Sequence, residues 1–210
     1  MSVAVGLLFT AGVEANAQLT DTGADFSTAA QGTNGYQYGY YSGGFGVTGT
    51  FSTANMGVAD GGWLGNDAFS TPFLGQYEFD PGASTNDPAV REYTVGSDSQ
   101  ADYSGEVEIK GDFYAINSGE TTSGFITVNG VNLFSEDVAQ SGDTDFDVFA
   151  AVVPGSTIDF GVNDNGNNGL GDATGMEATV TEVPEPLAGV TLGAVALLCL
   201  ASRRGKKAER

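Results

Sequence analysis

Histidine is absent from this 210-residue chain, and cysteine occurs once. Without histidine there is no Ser-His-Asp or Cys-His relay and no imidazole ligand for a metal. With Cys199 alone, no intramolecular disulfide can form, whatever the redox compartment. Basic residues are also scarce: 7 Lys and Arg stand against 27 Asp and Glu, a net charge of −20. A field this acidic repels phosphate and argues against nucleic acid as a partner. Yet only 16% of residues are charged and 40% are hydrophobic. The chain therefore has the material for a core and is not a disordered polyanion. Glycine is in excess, at 32 residues, about twice ordinary usage.

The few basic residues are not spread evenly. Five of them, Arg203, Arg204, Lys206, Lys207 and Arg210, lie in the last eight positions, and only Arg91 and Lys110 precede them. Just before this cluster, Leu187 to Ala201 is an uncharged, mostly apolar run. As a helix it would measure roughly 22 Å, short of the ~30 Å hydrocarbon core. It spans if its flanking arginines snorkel and the bilayer thins. The basic flank places the C-terminal end in the cytoplasm and the rest of the chain across the membrane. We expect a single transmembrane helix over 187–202.

The residues upstream of that run sharpen the expectation. Val183-Pro184-Glu185-Pro186, then the apolar run, then Arg203-Arg204, resembles the PEP-CTERM sorting signal of Gram-negative bacteria. The resemblance covers residues 183–207. It implies an exosortase as processing partner, transient residence in the inner membrane, and delivery to the cell surface or extracellular matrix. In that reading Pro184, Glu185 and Pro186 are recognised as a processing site.

The N-terminus agrees. Val3 to Val13 is small and apolar, and Ala15-Asn16-Ala17 has the A-x-A form of a signal-peptide cleavage site. Residues 1–17 read as an export signal, with the mature protein starting at Gln18. No Lys or Arg lies near Met1, which points to a true start upstream. The expected organisation is thus a signal segment (1–17), an exported domain (18–182) and a sorting signal (183–210).

Residues 18–182 hold 24 acidic and 2 basic residues. Their hydrophobic period is that of strands, with short β-rich runs between Gly, Asn, Asp and Ser clusters. The clearest unit is 124–134, where Asn129-Gly130 supplies both positive-φ positions of a type I′ turn. A two-residue loop pairs Val128 with Val131, Ile126 with Leu133 and Phe125 with Phe134, and places Ile126, Val128, Val131 and Leu133 on a core face. Glu106 to Tyr114 alternates, with Val107 and Ile109 inward and Glu106, Glu108 and Lys110 outward. Phe146 to Val153 and Thr157 to Val162 read as a pair about Pro154-Gly155. Met176 to Thr181 reads as the last strand, and Gly46 to Ser52 and Val90 to Val95 as weaker ones. Many short strands at this spacing predict an all-β, antiparallel β-sandwich or jelly roll.

From Asp80-Pro81 to Thr181 the pattern resembles a jelly-roll domain of exported bacterial proteins related to carbohydrate-binding modules. The matching stretches are AVREYTV (Ala89 to Val95), YSGEVEIKGDF (Tyr103 to Phe113), the Asn-Gly hairpin, and Val153 to Val180. Members often carry Trp where Tyr93 stands. The resemblance implies fold more than function.

Three kinds of site can be weighed. Asp164, Asn168 and Asp172 offer oxygen ligands to Ca²⁺, but Gly166 and Gly175 break the EF-hand pattern, and a turn-forming loop explains them as well. Asp143, Asp145 and Asp147 share one strand face, which reads as a solvated face. Tyr36, Tyr38 and Tyr40 would line one face of a strand and, with Trp63, could stack on sugar rings or simply pack. For an enzyme the remaining chemistry is a carboxylate-pair glycosidase using Glu106/Glu108 or Glu136/Asp137. The first pair lies on an exposed face, the second is split between faces, and neither has an aromatic cleft. The sequence therefore reads as a non-catalytic surface protein, structural or adhesive. Binding to exopolysaccharide is the alternative and glycoside hydrolysis the third reading.

Overall fold

The computed structural model describes residues 17–42, 50–65, 72–81, 88–97, 103–116, 121–166 and 173–184. The chain divides into Ala17–Val183 and a second unit, Met1–Asn16 with Pro184–Arg210. Of the second unit only Pro184 is described. The expected export segment apart from Ala17, and the membrane helix (187–202), therefore lie outside the described residues, as do Ala15, Glu185, Pro186, Arg203 and Arg204; the Ala17 carbonyl accepts the Glu182 amide at 2.8 Å. Among the described residues no helix is long and apolar enough to cross a membrane.

Fourteen strands are described, with one turn of 3-10 helix at Thr33–Gly35. They are β1 (Gln18–Asp21), β2 (Tyr36–Ser42), β3 (Thr50–Ser52), β4 (Met56–Ala59), β5 (Gly62–Gly65), β6 (Phe73–Leu74) and β7 (Glu78–Asp80). Then follow β8 (Ala89–Thr94), β9 (Gly105–Ala115), β10 (Thr122–Val128), β11 (Val131–Val138), β12 (Asp143–Val152), β13 (Thr157–Asn163) and β14 (Thr174–Val183). They form two antiparallel sheets. One has eight strands in the order β12-β9-β14-β7-β6-β5-β4, with β1 also on β14; the other has six, β11-β10-β13-β8-β2-β3. The all-β sandwich expected from the strand period is what the chain forms.

The core lies between the sheets and follows the period of two. Val107, Ile109 and Phe113 of β9 are buried, as are Met176 and Val180 of β14, Ile126 of β10, and Ile158 and Phe160 of β13. The outward residues of β9, Glu106 and Lys110, are exposed, as their alternation predicts. A smaller cluster sits apart: Tyr41, Val90 and Phe125, with Phe51 packed against them. These belong to the opposite face of the six-stranded sheet. In β8, for example, Ala89 and Tyr93 join the main core while Val90 does not.

Two pairings differ from the reading of the sequence. In the Asn129-Gly130 hairpin both turn residues have positive φ (51° and 75°), as a type I′ turn requires. Val128 pairs with Val131 as expected, but a bulge between Ile126 and Thr127 then shifts the register, so Ile126 faces Phe134 and Phe125 faces Ser135. One extra residue on β11 turns the strand over. Phe134 swings against Phe113 and Phe146, with ring centroids 6.1 and 5.5 Å away. Val131 and Leu133 are left on the surface instead of the core. The second correction concerns Pro154-Gly155. The strands on either side, β12 and β13, do not pair: β12 joins β9 in one sheet and β13 joins β10 and β8 in the other. The turn dipeptide makes a crossover between layers.

Candidate functional site

The exposed face of the eight-stranded sheet gathers more polar chemistry than any sequence motif suggested. Because β9 alternates, Lys110, Asp112 and Tyr114 point the same way, and the register of β12 and β14 sets their neighbours. Asp145 faces Asp112 and Asp112 faces Glu177, which aligns three carboxylates across three strands. In the next row Asp147 faces Lys110 and Lys110 faces Thr179. Lys110 Nζ donates to Asp147 Oδ2 at 2.9 Å, an open surface ion pair worth little to stability. Asp112 is held above the ordinary carboxylate range by partial burial and then by Glu177, Asp143 and Asp145.

A hollow of about 390 Å³ opens beside this row, between β9, β14 and the chain around Asp21 to Ala24. Its floor is Gly111, Ala178 and Thr179, and its walls include Asp21, Asp112, Glu177 and Tyr77. A second hollow on the far side of Lys110, Gly111 and Asp112 reaches Asp145, Phe146 and Asp147. Gly111 pairs with Ala178 where β9 and β14 run closest. A Cβ there would lie 1.9 Å from the carbonyl oxygen of Glu177, so no side chain fits where the two strands close up. Tyr77 is 40% exposed and presents a ring edge or face to this hollow. Partial burial, Glu177, Asp112 and Tyr77 keep the Tyr114 phenol protonated beyond its usual range. The arrangement offers carboxylates as acceptors for hydroxyl groups, one ammonium as donor, and a tyrosine as an apolar wall.

The walls are held from inside by Arg91, which is fully buried. Its guanidinium donates to the carbonyls of Thr22 (2.6 Å), Gly75 (2.7 Å) and Gln76 (3.0 Å). It lies 5.0 Å from the ring of Phe79 and 5.4–5.9 Å from those of Phe26, Tyr38 and Tyr36. Gln76 Nε2 adds a bond to the carbonyl of Gly23. Two loops, 22–24 and 75–77, are thereby fastened together, and their neighbours Asp21, Ala24 and Tyr77 form the hollow's wall.

The aromatic residues singled out from the sequence lie elsewhere. Tyr36 and Tyr38 do share one face of β2, but it is the inner face, where both are fully buried and Trp63 nearly so. The Tyr38 and Trp63 rings stack at 5.6 Å and 9°, and Tyr36 packs on Tyr93 at 5.2 Å. Their polar tips are used as well: Trp63 Nε1 donates to the Ser27 carbonyl and Thr20 Oγ1 donates to Tyr36 Oη. A sugar cannot reach faces already covered by other rings, so these three belong to the core. Tyr40, next on that face, is partly exposed.

Of the Ca²⁺ ligand set only Asp164 is described; Asn168 and Asp172 lie outside the described residues. Asp164 is buried, and its Oδ1 accepts the Gly166 amide at 3.1 Å, as a turn-forming aspartate does. No group of three or more potential metal ligands occurs among the described residues. Asp143, Asp145 and Asp147 are exposed along β12, the solvated strand face that alternation predicts. Glu106 lies on the exposed face of β9, and Glu136 and Asp137 are exposed on β11 at the sheet edge. None of these lines the hollow. Val183 ends β14, and Pro184 follows it out of the sheet.

The residues that do line the hollow were not legible as a site. Asp112 and Glu177 are 65 positions apart and meet only through strand register. Tyr77 stands in a short loop with no pattern around it.

No family model matches the chain, and no curated protein matches it in sequence. Solved structures resemble it loosely. The CBM22-1 xylan-binding domain from Paenibacillus barcinonensis aligns with 83% of this chain and 99% of its own, at 10% identity and a TM-score of 0.42. The CBM36-1 domain of a multidomain xylanase from the hindgut metagenome of Trinervitermes trinervoides covers 72% and 99%, at 10% identity and TM-score 0.34. A CBM35 structure from P. barcinonensis covers 71% and 94%, at 16% identity and TM-score 0.30. The sandwich described here rests on its own strand pairing, and these are the structures to which the chain is similar.

Proposed function

We propose that this protein is an exported, non-catalytic β-sandwich that holds carbohydrate in the hollow on its eight-stranded sheet. The observation that carries the reading is the hollow itself: an open depression of about 390 Å³ with a half-exposed tyrosine on one wall and carboxylates on the other. Sugars are bound by such pairings, the ring against an aromatic and the hydroxyls on fixed acceptors. The sequence resemblance to the carbohydrate-binding-module-like jelly roll supports the same ligand class. An adhesive role in a polysaccharide matrix is this reading at the scale of the cell. The PEP-CTERM resemblance of residues 183–207 supports surface sorting through an exosortase.

The test is binding of the full chain to a panel of polysaccharides by affinity electrophoresis, with Tyr77→Ala and Glu177→Gln as variants. Retardation lost by about tenfold in affinity, roughly 1.4 kcal/mol, in Tyr77→Ala is expected. Retardation by no polysaccharide, or retardation unchanged in both variants, would refute the assignment of the hollow.

A further inference from the structure

On the opposite sheet, away from the hollow, a second pair of acids is built into the interior of the outer face. Asp159 of β13 is 2% exposed. Its Oδ2 accepts two hydroxyls, from Tyr41 of β2 at 2.5 Å and from Thr127 of β10 at 2.6 Å. Its Oδ1 is also buried and has no donor from any other described side chain or amide. Glu92 of β8 is the direct cross-strand neighbour of Asp159, which places the two side chains side by side on one face of the sheet. A carboxylate cannot donate. With both hydroxyls on Oδ2, the partnerless Oδ1 has in its cross-strand neighbour a group that becomes a donor when protonated.

We propose that Glu92 and Asp159 share one proton and act as a pH-sensitive latch across β2, β8, β13 and β10, closed when Glu92 is protonated and loosened when it ionises. Burial raises Asp159 too, but the hydroxyls of Tyr41 and Thr127 donate to it and oppose that rise, so we place the shared proton on Glu92. Burial, then the charge of Asp159 and the hydrogen bond to it, push Glu92 up to about 7. The titratable groups facing Glu92 are Asp159 from β13 and Tyr41 from β2; its register partner on β2, Gln37, and Thr127 on β10 are uncharged. The two described basic residues are elsewhere, Arg91 inside the main core and Lys110 on the other sheet. Nothing positive is at hand to neutralise a second carboxylate.

The direction of the effect follows from linkage. Glu92 binds its proton more tightly folded than unfolded, where its ordinary value is 4.5. The stabilisation is complete below that value and is lost as pH rises toward the folded value near 7. The chain has no histidine, and the other carboxyls raised by burial, Asp112 and Glu78, belong to the other sheet, so the Glu92→Gln variant separates their contribution.

The experiment is thermal unfolding of the full chain, kept in mild detergent, at pH 5 to 8, for wild type, Glu92→Gln and Asp159→Asn. The wild-type Tm should fall by about 5 °C across the range. Glu92→Gln, whose amide can donate to Asp159 at any pH, should keep the acid-side Tm throughout. A wild type with no fall, or an equal fall in Glu92→Gln, would overturn the latch. If either variant does not fold, the carboxyl carbon of Glu92 is followed by NMR in the wild type. A midpoint near 7 supports the shared proton, and a midpoint in the ordinary range of 4 to 5 refutes it.

Discussion

Arg91 carries a full charge into the interior with no carboxylate bonded to it. Three carbonyl oxygens and four aromatic rings take that role. Burial lowers the guanidinium's affinity for its proton, yet arginine stays charged because its starting value is so high. Such a cation is stable only while every partner is present. Arg91→Ala would leave the buried carbonyls of Thr22 and Gly75 unpaired and a cavity among the rings, a loss on the order of 4 kcal/mol. In a domain of this size that lowers Tm by about 10 °C. A Tm within 3 °C of wild type, by scanning calorimetry, would show that the loops are held by something else. The sequence could not announce this residue. A lone Arg in a strand otherwise reading AVxEYTV looks like a surface position, and only burial on the face shared with Ala89 and Tyr93 shows otherwise. The tyrosines of β2 misled in the opposite sense. Their alternation was legible, but alternation marks a face without saying whether that face looks out or in.

Individual strands were readable where they are long enough to show a period. β9, β10 and β14 each run seven residues or more; all three read as strands, and Val107, Ile109, Ile126 and Val128 were recognisable as inward. β4 to β7 are two to four residues long, too short for any alternation to emerge. Register was readable only as far as the chain kept ideal spacing: the bulge at Ile126/Thr127 sends Leu133 to the surface, and nothing in its local sequence warns of it. Another local departure is the tight closure of β9 on β14 at Gly111. Gly111→Ala would drive a methyl group into the Glu177 carbonyl and cost about 1–3 kcal/mol in overpacking. It should also prise apart the strands that carry Asp112 and Glu177. Denaturant unfolding should show a lowered midpoint together with weaker polysaccharide retention; an unchanged midpoint would mean that the strands separate there without strain.

At the scale of the molecule the charge is divided. Between residues 18 and 182 the net charge is −22, while five of the seven basic residues sit in the last eight positions. The sandwich has almost no cations with which to form surface pairs, and Lys110 with Asp147 is the ion pair among the described residues. Its strands are held by apolar burial and ladders, and its carboxylates remain free to hydrate. Deleting residues 183–210 should release the protein to the culture supernatant, measured by fractionation and immunoblot. Unchanged surface retention would refute sorting by that segment. The all-β sandwich was legible at this scale because short β-rich runs recur between turn residues all along 18–182. The hollow was not legible, because it joins residues far apart in the chain, from Asp21 to Thr179.

One consequence concerns force. The strand that supplies Glu177, Ala178 and Thr179 to the hollow is β14, and it continues without interruption to Val183. It lies inside its sheet, laddered to β9 on one side and to β1 and β7 on the other. If a polymer gripped in the hollow were pulled against a tether at residue 183, tension would travel along β14 over only a few residues. The ladder hydrogen bonds would then be loaded together, in shear, rather than peeled open one after another. The load would fall on one strand, its ladders, and the core residues Met176, Ala178 and Val180 that this strand carries.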